Sequence, residues 1–212
     1  MKNLLYKEFS LVINPLFYLI PLFGALLLIP EWAYFIALMY FFFMSVPNIF
    51  SIAKAHNDIG FSAMLPVRRS DIVKSRITSM IILEVLQILV AAVFAVINLM
   101  IYPGENFLLD TNAAFIGCVF IMYGIYNIIY FPMFYKTAYK ISGPIIAALA
   151  ATLLFAAAVE LLILFVPALK IFDGREHIGA QLAVLAGGII LYILLSVAAF
   201  RISAKRFLKV DL

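Results

Sequence analysis

Two carboxylates stand inside otherwise apolar stretches of this sequence, Glu84 and Glu160. An ionisable group at membrane depth is costly and faces protein or water rather than lipid. Each is therefore a candidate for a polar path that contacts a cationic, amphipathic ligand, and equally for a hydrogen bond between helices. Glu84 lies about 12 Å along a helix from Arg76, toward one end of its stretch, whereas Glu160 falls toward the opposite end of another. They are not expected to meet as an acid–base pair. Asn98, Tyr123, Asn127 and Tyr130 are further candidates for lining such a path. Tyr123, Asn127, Tyr130 and Phe134 recur at helical spacing with Tyr126 beside them, giving one aromatic, partly polar face that suits either a vestibule or ordinary packing. His56 and His177 fall in polar segments on opposite sides of the membrane and cannot share a metal. The lone Cys118 allows no internal disulfide. The sequence contains no G-x-x-x-x-G-K-[ST], no H-E-x-x-H and no G-x-S-x-G, so neither an ATP site nor a familiar hydrolase site is expected in this chain. No catalytic residue, metal or cofactor is assigned to it.

The elements that would position these groups are membrane helices. The 212 residues are 67% hydrophobic and 12% charged, with mean hydropathy +1.14, against roughly half apolar and a quarter charged in soluble domains. A membrane helix needs about 20 apolar residues, and six such runs are legible: 15–30, 32–53, 77–101, 113–134, 144–168 and 181–200. The fold class read from this pattern is an all-α polytopic membrane protein. Residues 1–14 form a separate amphipathic interfacial helix, with Asn3, Lys7, Ser10 and Asn14 on one face and Leu5, Phe9, Val12 and Ile13 opposite; Pro15 marks the break. Residues 15–212 form a single six-helix domain. Ser45, Pro47 and Asn48 predict a kink in the second span. Gly143, Ala147 and Ala151, and Gly179, Ala183 and Gly187, are small-residue faces suited to close packing, within the chain or at a dimer seam.

Charge orients the bundle. With the N-terminus inside, all of the fifteen Lys and Arg except Lys170 and Arg175 fall on the inner side. Both termini and the loop 54–76 are then cytoplasmic. The basic balance is explained by topology and anionic lipid heads, without nucleic acid.

The loop 54–76, KAHNDIGFSAMLPVRRSDIVKSR, is far longer than a reversal of direction needs. It reads as a short helix over 54–64, ended by Leu65-Pro66, then Arg68 and Arg69 in an extended link. Ser70 caps the next helix, with Asp71 in its first turn. Ile59, Phe61, Met64 and Leu65 stand beside charge, the composition of a docking surface or of a segment lying on lipid.

The run Leu65-Pro66-Val67-Arg68-Arg69-Ser70-Asp71-Ile72-Val73-Lys74 resembles the LP-v-s/r-r-x-e/d-I-v-x-x-K stretch of permease subunits of ABC-2 type transporters. It stands between the second and third spans, where that family has it. Leu4-Leu5-Tyr6-Lys7-Glu8-Phe9 resembles their amphipathic N-terminal helix. The resemblance implies an export permease that dimerises, with itself or with a paralogous permease, and docks cytosolic ATPase subunits that bind ATP and Mg. Carried onto this chain, the coupling residues are Asn57, Asp58, Ile59, Gly60, Phe61, Met64, Leu65, Arg68, Arg69 and Asp71. The short single-domain layout is similar to that of bacterial plasma-membrane exporters of amphipathic peptides, such as the phenol-soluble modulin exporters. The polar residues Lys54, His56, Asn57 and Asp58 depart from the acidic-rich set of many members. The competing readings are a lipid or drug efflux permease, a substrate-capture subunit of an energy-coupling-factor vitamin importer, an intramembrane enzyme using Glu84 or Glu160, and a structural subunit. The first span lacks the Ala-x-x-x-Ala contacts expected of the importer subunit.

Overall fold

A computed structural model describes residues 2–102, 106, 108–174 and 177–210. The expectations that fall on Pro103, Gly104, Glu105, Phe107, Arg175, Glu176, Asp211 and Leu212 lie outside the described residues. Every described element is helical. Five stretches are long and apolar enough to cross a membrane, and a sixth if the bent N-terminal pair counts as one. Their outward faces carry large apolar side chains such as Met100, Leu154, Phe165 and Leu194. Backbone satisfied inside helices, with an apolar exterior, is the form a chain takes in lipid.

The N-terminus departs most from expectation. Helix α1 (Lys2–Lys7) runs on through a wider π turn, Glu8–Val12. The chain then bends by 101° into Pro15–Leu28, near the break expected at Pro15. That stretch is not the α-helix expected over 15–30: Pro15–Tyr18 and Ile20–Leu28 are 3-10 turns. Pro21 removes a backbone donor and restricts Ile20. At about 2.0 Å per residue, the two 3-10 stretches reach about 26 Å, close to the hydrocarbon thickness.

The second stretch comprises α2 (Tyr34–Tyr40), a π turn at Phe41–Ser45 and α3 (Val46–Ala55). The irregularity sits just before Pro47, which cannot donate to the carbonyl four residues back. Next come α4 (Asp58–Met64), α5 (Arg69–Ile101), α6 (Ala113–Phe134), α7 (Ser142–Phe165) and α8 (Ile178–Phe207). Helix α5 carries the third span from Arg69, one residue before the expected cap at Ser70, and α8 continues past 200 through the basic tail. The start of α6 is capped by Asn112, whose side chain accepts from the Phe115 amide at 3.1 Å. Val166 and Pro167 end α7.

The densest packing joins α6 to α8 through glycine. A methyl group placed on Gly188 would lie 2.2 Å from the Gly117 carbonyl oxygen, and one on Gly117 would lie 2.6 Å from that of Val184. The expected small-residue faces are not the ones used inside the chain. Gly143, Gly179 and Gly187 each have open space where a side chain would project. The contact falls one residue along, because the helix turns Gly188 rather than Gly187 toward α6. Against the other side of α6, Phe42 stacks on Tyr126 at 3.9 Å between ring centres, Tyr126 on Tyr130, and Phe50 meets Tyr130 edge-on. Such pairs add about 0.5–1.5 kcal/mol each beyond area burial.

Gly188→Ala should cost about 1–3 kcal/mol through overpacking, while Gly187→Ala should stay within about 0.5 kcal/mol. Thermal unfolding in detergent, followed by a thiol-reactive dye at Cys118, reads both; equal melting temperatures would contradict the glycine contact.

Candidate functional site

One end of the bundle gathers segments far apart in sequence. Asp58 opens α4, and its carboxylate meets the Arg76 Nη2 at 2.5 Å and the Lys7 Nζ at 2.8 Å. Arg76 Nε donates to the Glu8 carboxylate. Lys7 also donates to the Ser62 hydroxyl at 2.8 Å. Glu8 and Ser62 are fully buried and Arg76 nearly so. The Arg76 guanidinium lies 5.5 Å from the centre of the Phe50 ring, a cation–π contact. Two cations and two carboxylates thus tie α1, α4, α5 and α3 at one point. Breaking such a buried group leaves an uncompensated charge, which costs about 3–5 kcal/mol.

This arrangement decides how the loop presents itself. Asn57 takes a left-handed conformation (φ 48°) that ends α3 and turns the chain into α4, and its side chain folds over Gly60. Asp58 and Ser62 share the inward face of α4. Ile59 does not stand outward as expected; it packs partly buried against the core. Phe61 and Met64 remain 60% and 84% exposed, with Leu65 beside them in extended conformation. The break at Leu65-Pro66 is where it was expected. Ser70 is not the cap: α5 begins at Arg69, with extended Arg68 preceding it and no side-chain cap bond. Arg68 is exposed, Asp71 sits in the first turn of α5, and Arg69 Nη1 donates to the Val210 carbonyl at 2.9 Å, fastening the tail to the same end. Beside this end a groove of about 830 Å³ is lined by Pro47, Ser51, Lys54, Tyr139, Lys140 and Ile145, among others.

The candidate path residues lie deeper and apart. Glu84 is fully buried and accepts from Asn127 Nδ2 at 2.8 Å and the Tyr192 hydroxyl at 2.7 Å. Asn127 also donates to the Ser196 hydroxyl at 3.2 Å. These bonds join α5, α6 and α8, and no cation within salt-bridge distance faces Glu84 among the described residues. The second Glu84 oxygen, the Asn127 carbonyl, both amide atoms of Gln87 and the Tyr126 and Tyr130 hydroxyls are buried without a partner. Tyr123 is buried too, its hydroxyl donating to the Leu38 carbonyl at 3.0 Å.

Asn98 sits near the opposite end. It donates to the Leu27 carbonyl at 2.7 Å and the Tyr34 hydroxyl at 3.2 Å, and accepts from Thr111 at 3.0 Å. Glu160 accepts from the Leu109 amide at 3.0 Å and shares no hydrogen-bond partner with Glu84.

Sequence reasoning missed Glu8, Arg76, Ser62 and Gln87. A signal existed for three of them. Arg76, Glu84, Gln87 and Asn98 share one face of α5 at helical spacing, and Glu8 interrupts an otherwise apolar stripe with Leu4 and Val12. An acid on an apolar face needs a buried partner, a cation or a hydrogen-bond donor.

Arg76→Met should lower stability by about 3–5 kcal/mol by stranding Glu8. Adding Glu8→Gln should restore part of that loss, so the two changes would be non-additive in melting temperature. Additive losses would show that the pair is not coupled.

A family model described as ABC-2 family transporter protein matches residues 3–207. Comparisons with curated proteins and with solved structures gave no match. The match spans the α1 segment, every candidate span and the loop that the ion cluster anchors, so the chain belongs to the ABC-2 transporter family, as a multi-pass membrane permease component of a transporter that works with ATPase subunits.

Proposed function

We propose that this chain is the permease of an ATP-driven exporter in the bacterial plasma membrane, dimerising and docking two cytosolic ATPases through loop 54–76. Both termini and that loop face the cytoplasm, as the distribution of Lys and Arg argues. The observation that carries the reading is the two-sided build of α4. Its outer side offers Phe61, Met64 and Leu65 to a partner, and its inner side is held through Asp58 to Arg76. Arg76 lies about two turns inside α5, so a load taken on α4 passes to a membrane helix without a slack linker. The N-terminal helix moves with it through Glu8 and Lys7.

The cargo is an amphipathic or hydrophobic peptide. The groove beside α3 pairs apolar walls with the ammonium groups of Lys54 and Lys140, a fit for an apolar segment bearing a carboxylate. Glu84, Tyr123, Asn127 and Tyr130, with the unpartnered Gln87, form the polar seam that opening would wet; Asn98 and Glu160 stand toward the exit. ATP and Mg belong to the partner, and this chain is not an enzyme.

Affinity purification from native membranes tests the docking. Phe61→Asp with Met64→Asp should abolish copurification of an ATPase while leaving insertion and melting temperature unchanged. An ATPase retained by that variant, or absent from the intact chain, would sink the proposal. Asp58→Asn should keep the ATPase bound yet lose most of the stimulation of ATP hydrolysis by an amphipathic peptide, since coupling between the two sites is reciprocal. Full stimulation in that variant would place the transmission elsewhere.

A further inference from the structure

Between α5 and α8 runs a second groove, of about 280 Å³, separate from the docking loop. From α5 it is lined by Lys74, Ile77, Thr78 and Ile81, and from α8 by residues of the 192–200 segment. The two helices run in opposite directions, so Lys74 stands at the end shared with the ion cluster and Ile81 about 10 Å deeper. The α8 stripe Ile193, Val197 continues one turn on to Arg201, which is exposed at the same end. The side chains of Lys74 and Arg201 make no ion pair or hydrogen bond with any described residue. Among the described residues no acid lines the groove; the nearest along α5 is Asp71, one turn before Lys74.

We infer that this groove seats an anionic phospholipid of the inner leaflet, one acyl chain along Ile77, Ile81, Ile193 and Val197 and its phosphate between Lys74 and Arg201. The chemistry fits at both ends. The floor is apolar, as an acyl chain requires, and two unpaired cations at headgroup level attract a single anion. A second copy of this chain fits less well. A two-fold interface brings the same patch of each copy together, setting Lys74 and Arg201 against their own equivalents with no acid in the groove to offset them. The site also has a consequence inside the protein. Tyr192 and Ser196, which wall the groove, are the residues that hydrogen-bond Glu84 and Asn127. A seated chain therefore presses on the two side chains that hold the buried polar network, and lipid composition reaches that network without entering the bundle.

The test uses the full-length chain in mild detergent with a Trp32→Phe background and a Phe200→Trp reporter at the groove. It is titrated with phosphatidylglycerol and with phosphatidylcholine, each carrying brominated chains. Phosphatidylglycerol should quench the reporter at about tenfold lower concentration. Lys74→Gln with Arg201→Gln, both exposed positions, should bring the two curves together. Thr78→Phe, which fills the groove, should weaken quenching by both lipids. Unbrominated glycerol phosphate should not reverse the quenching; reversal would mean that the site takes a phosphate and not a lipid, overturning the inference. Coincident curves for the two lipids on the intact chain, or unchanged curves in the double Gln variant, would overturn it as well. So would a dimer-to-monomer shift caused by Thr78→Phe in light scattering, since that would assign the groove to a second copy.

Discussion

The contact on which the rest of this structure depends is the burial of Arg76 between Glu8 and Asp58. A guanidinium held away from water is tolerated only when acids meet it closely, and here the two acids come from segments separated from it by 68 and 18 residues. Satisfying one cation therefore forces α1 and α4 to lie against the foot of α5. Lys7 completes the balance by bridging Asp58 and Ser62. Desolvation makes the cluster a registry device: alternative positions of the N-terminal segment or the loop would strand a buried charge.

Above that point, specificity has to come from sources other than apolarity. Lipid is as apolar as leucine, so helices in a membrane associate through close packing and a few polar bonds rather than through exclusion of water. This chain uses both. Gly117 and Gly188 let α6 and α8 approach backbone to backbone, and the Glu84–Asn127–Ser196–Tyr192 group joins the same two helices to α5. Nearer the other end, Asn98 binds the 3-10 segment, α2 and the stretch before α6. Each polar tie spans at least two elements, and together they define a rigid α5–α6–α8 core on which the N-terminal segments and α7 are arranged.

A permease has to move as well as hold. The ion cluster stiffens the foot of α5, while the unpartnered hydroxyls of Tyr126 and Tyr130 leave the aromatic contacts of α6 with Phe42 and Phe50 free of hydrogen bonds through those two side chains. The π turn ahead of Pro47 and the 3-10 turns of the N-terminal segment are further places where backbone geometry is already off the α-helical optimum. The stiff foot lies where α4 meets α5, and the aromatic seam lies on the other side of α6 from its glycine contact with α8.

Composition and charge settled much of this in advance, because they answer to the solvent and not to the fold. A chain this apolar needs lipid, and the starts and ends of α6 and α7 followed within a few residues from hydropathy. The Leu65-Pro66 break and the exposed Phe61 and Met64 were legible because proline geometry and local periodicity act within a few residues. That Glu84 and Glu160 do not share hydrogen-bond partners accords with the reading that they do not meet. What the sequence left open was which residues meet. Glu8, Asp58 and Arg76 are unremarkable as single letters, and Gly187 and Gly188 are equivalent until the rotation of α8 selects one. Ile59 turned inward and the helix start moved from Ser70 to Arg69 once the loop was pinned from the side. These outcomes depend on how rigid helices are set against one another in space, and that is decided by long-range charge pairing and backbone contact, which no local pattern encodes.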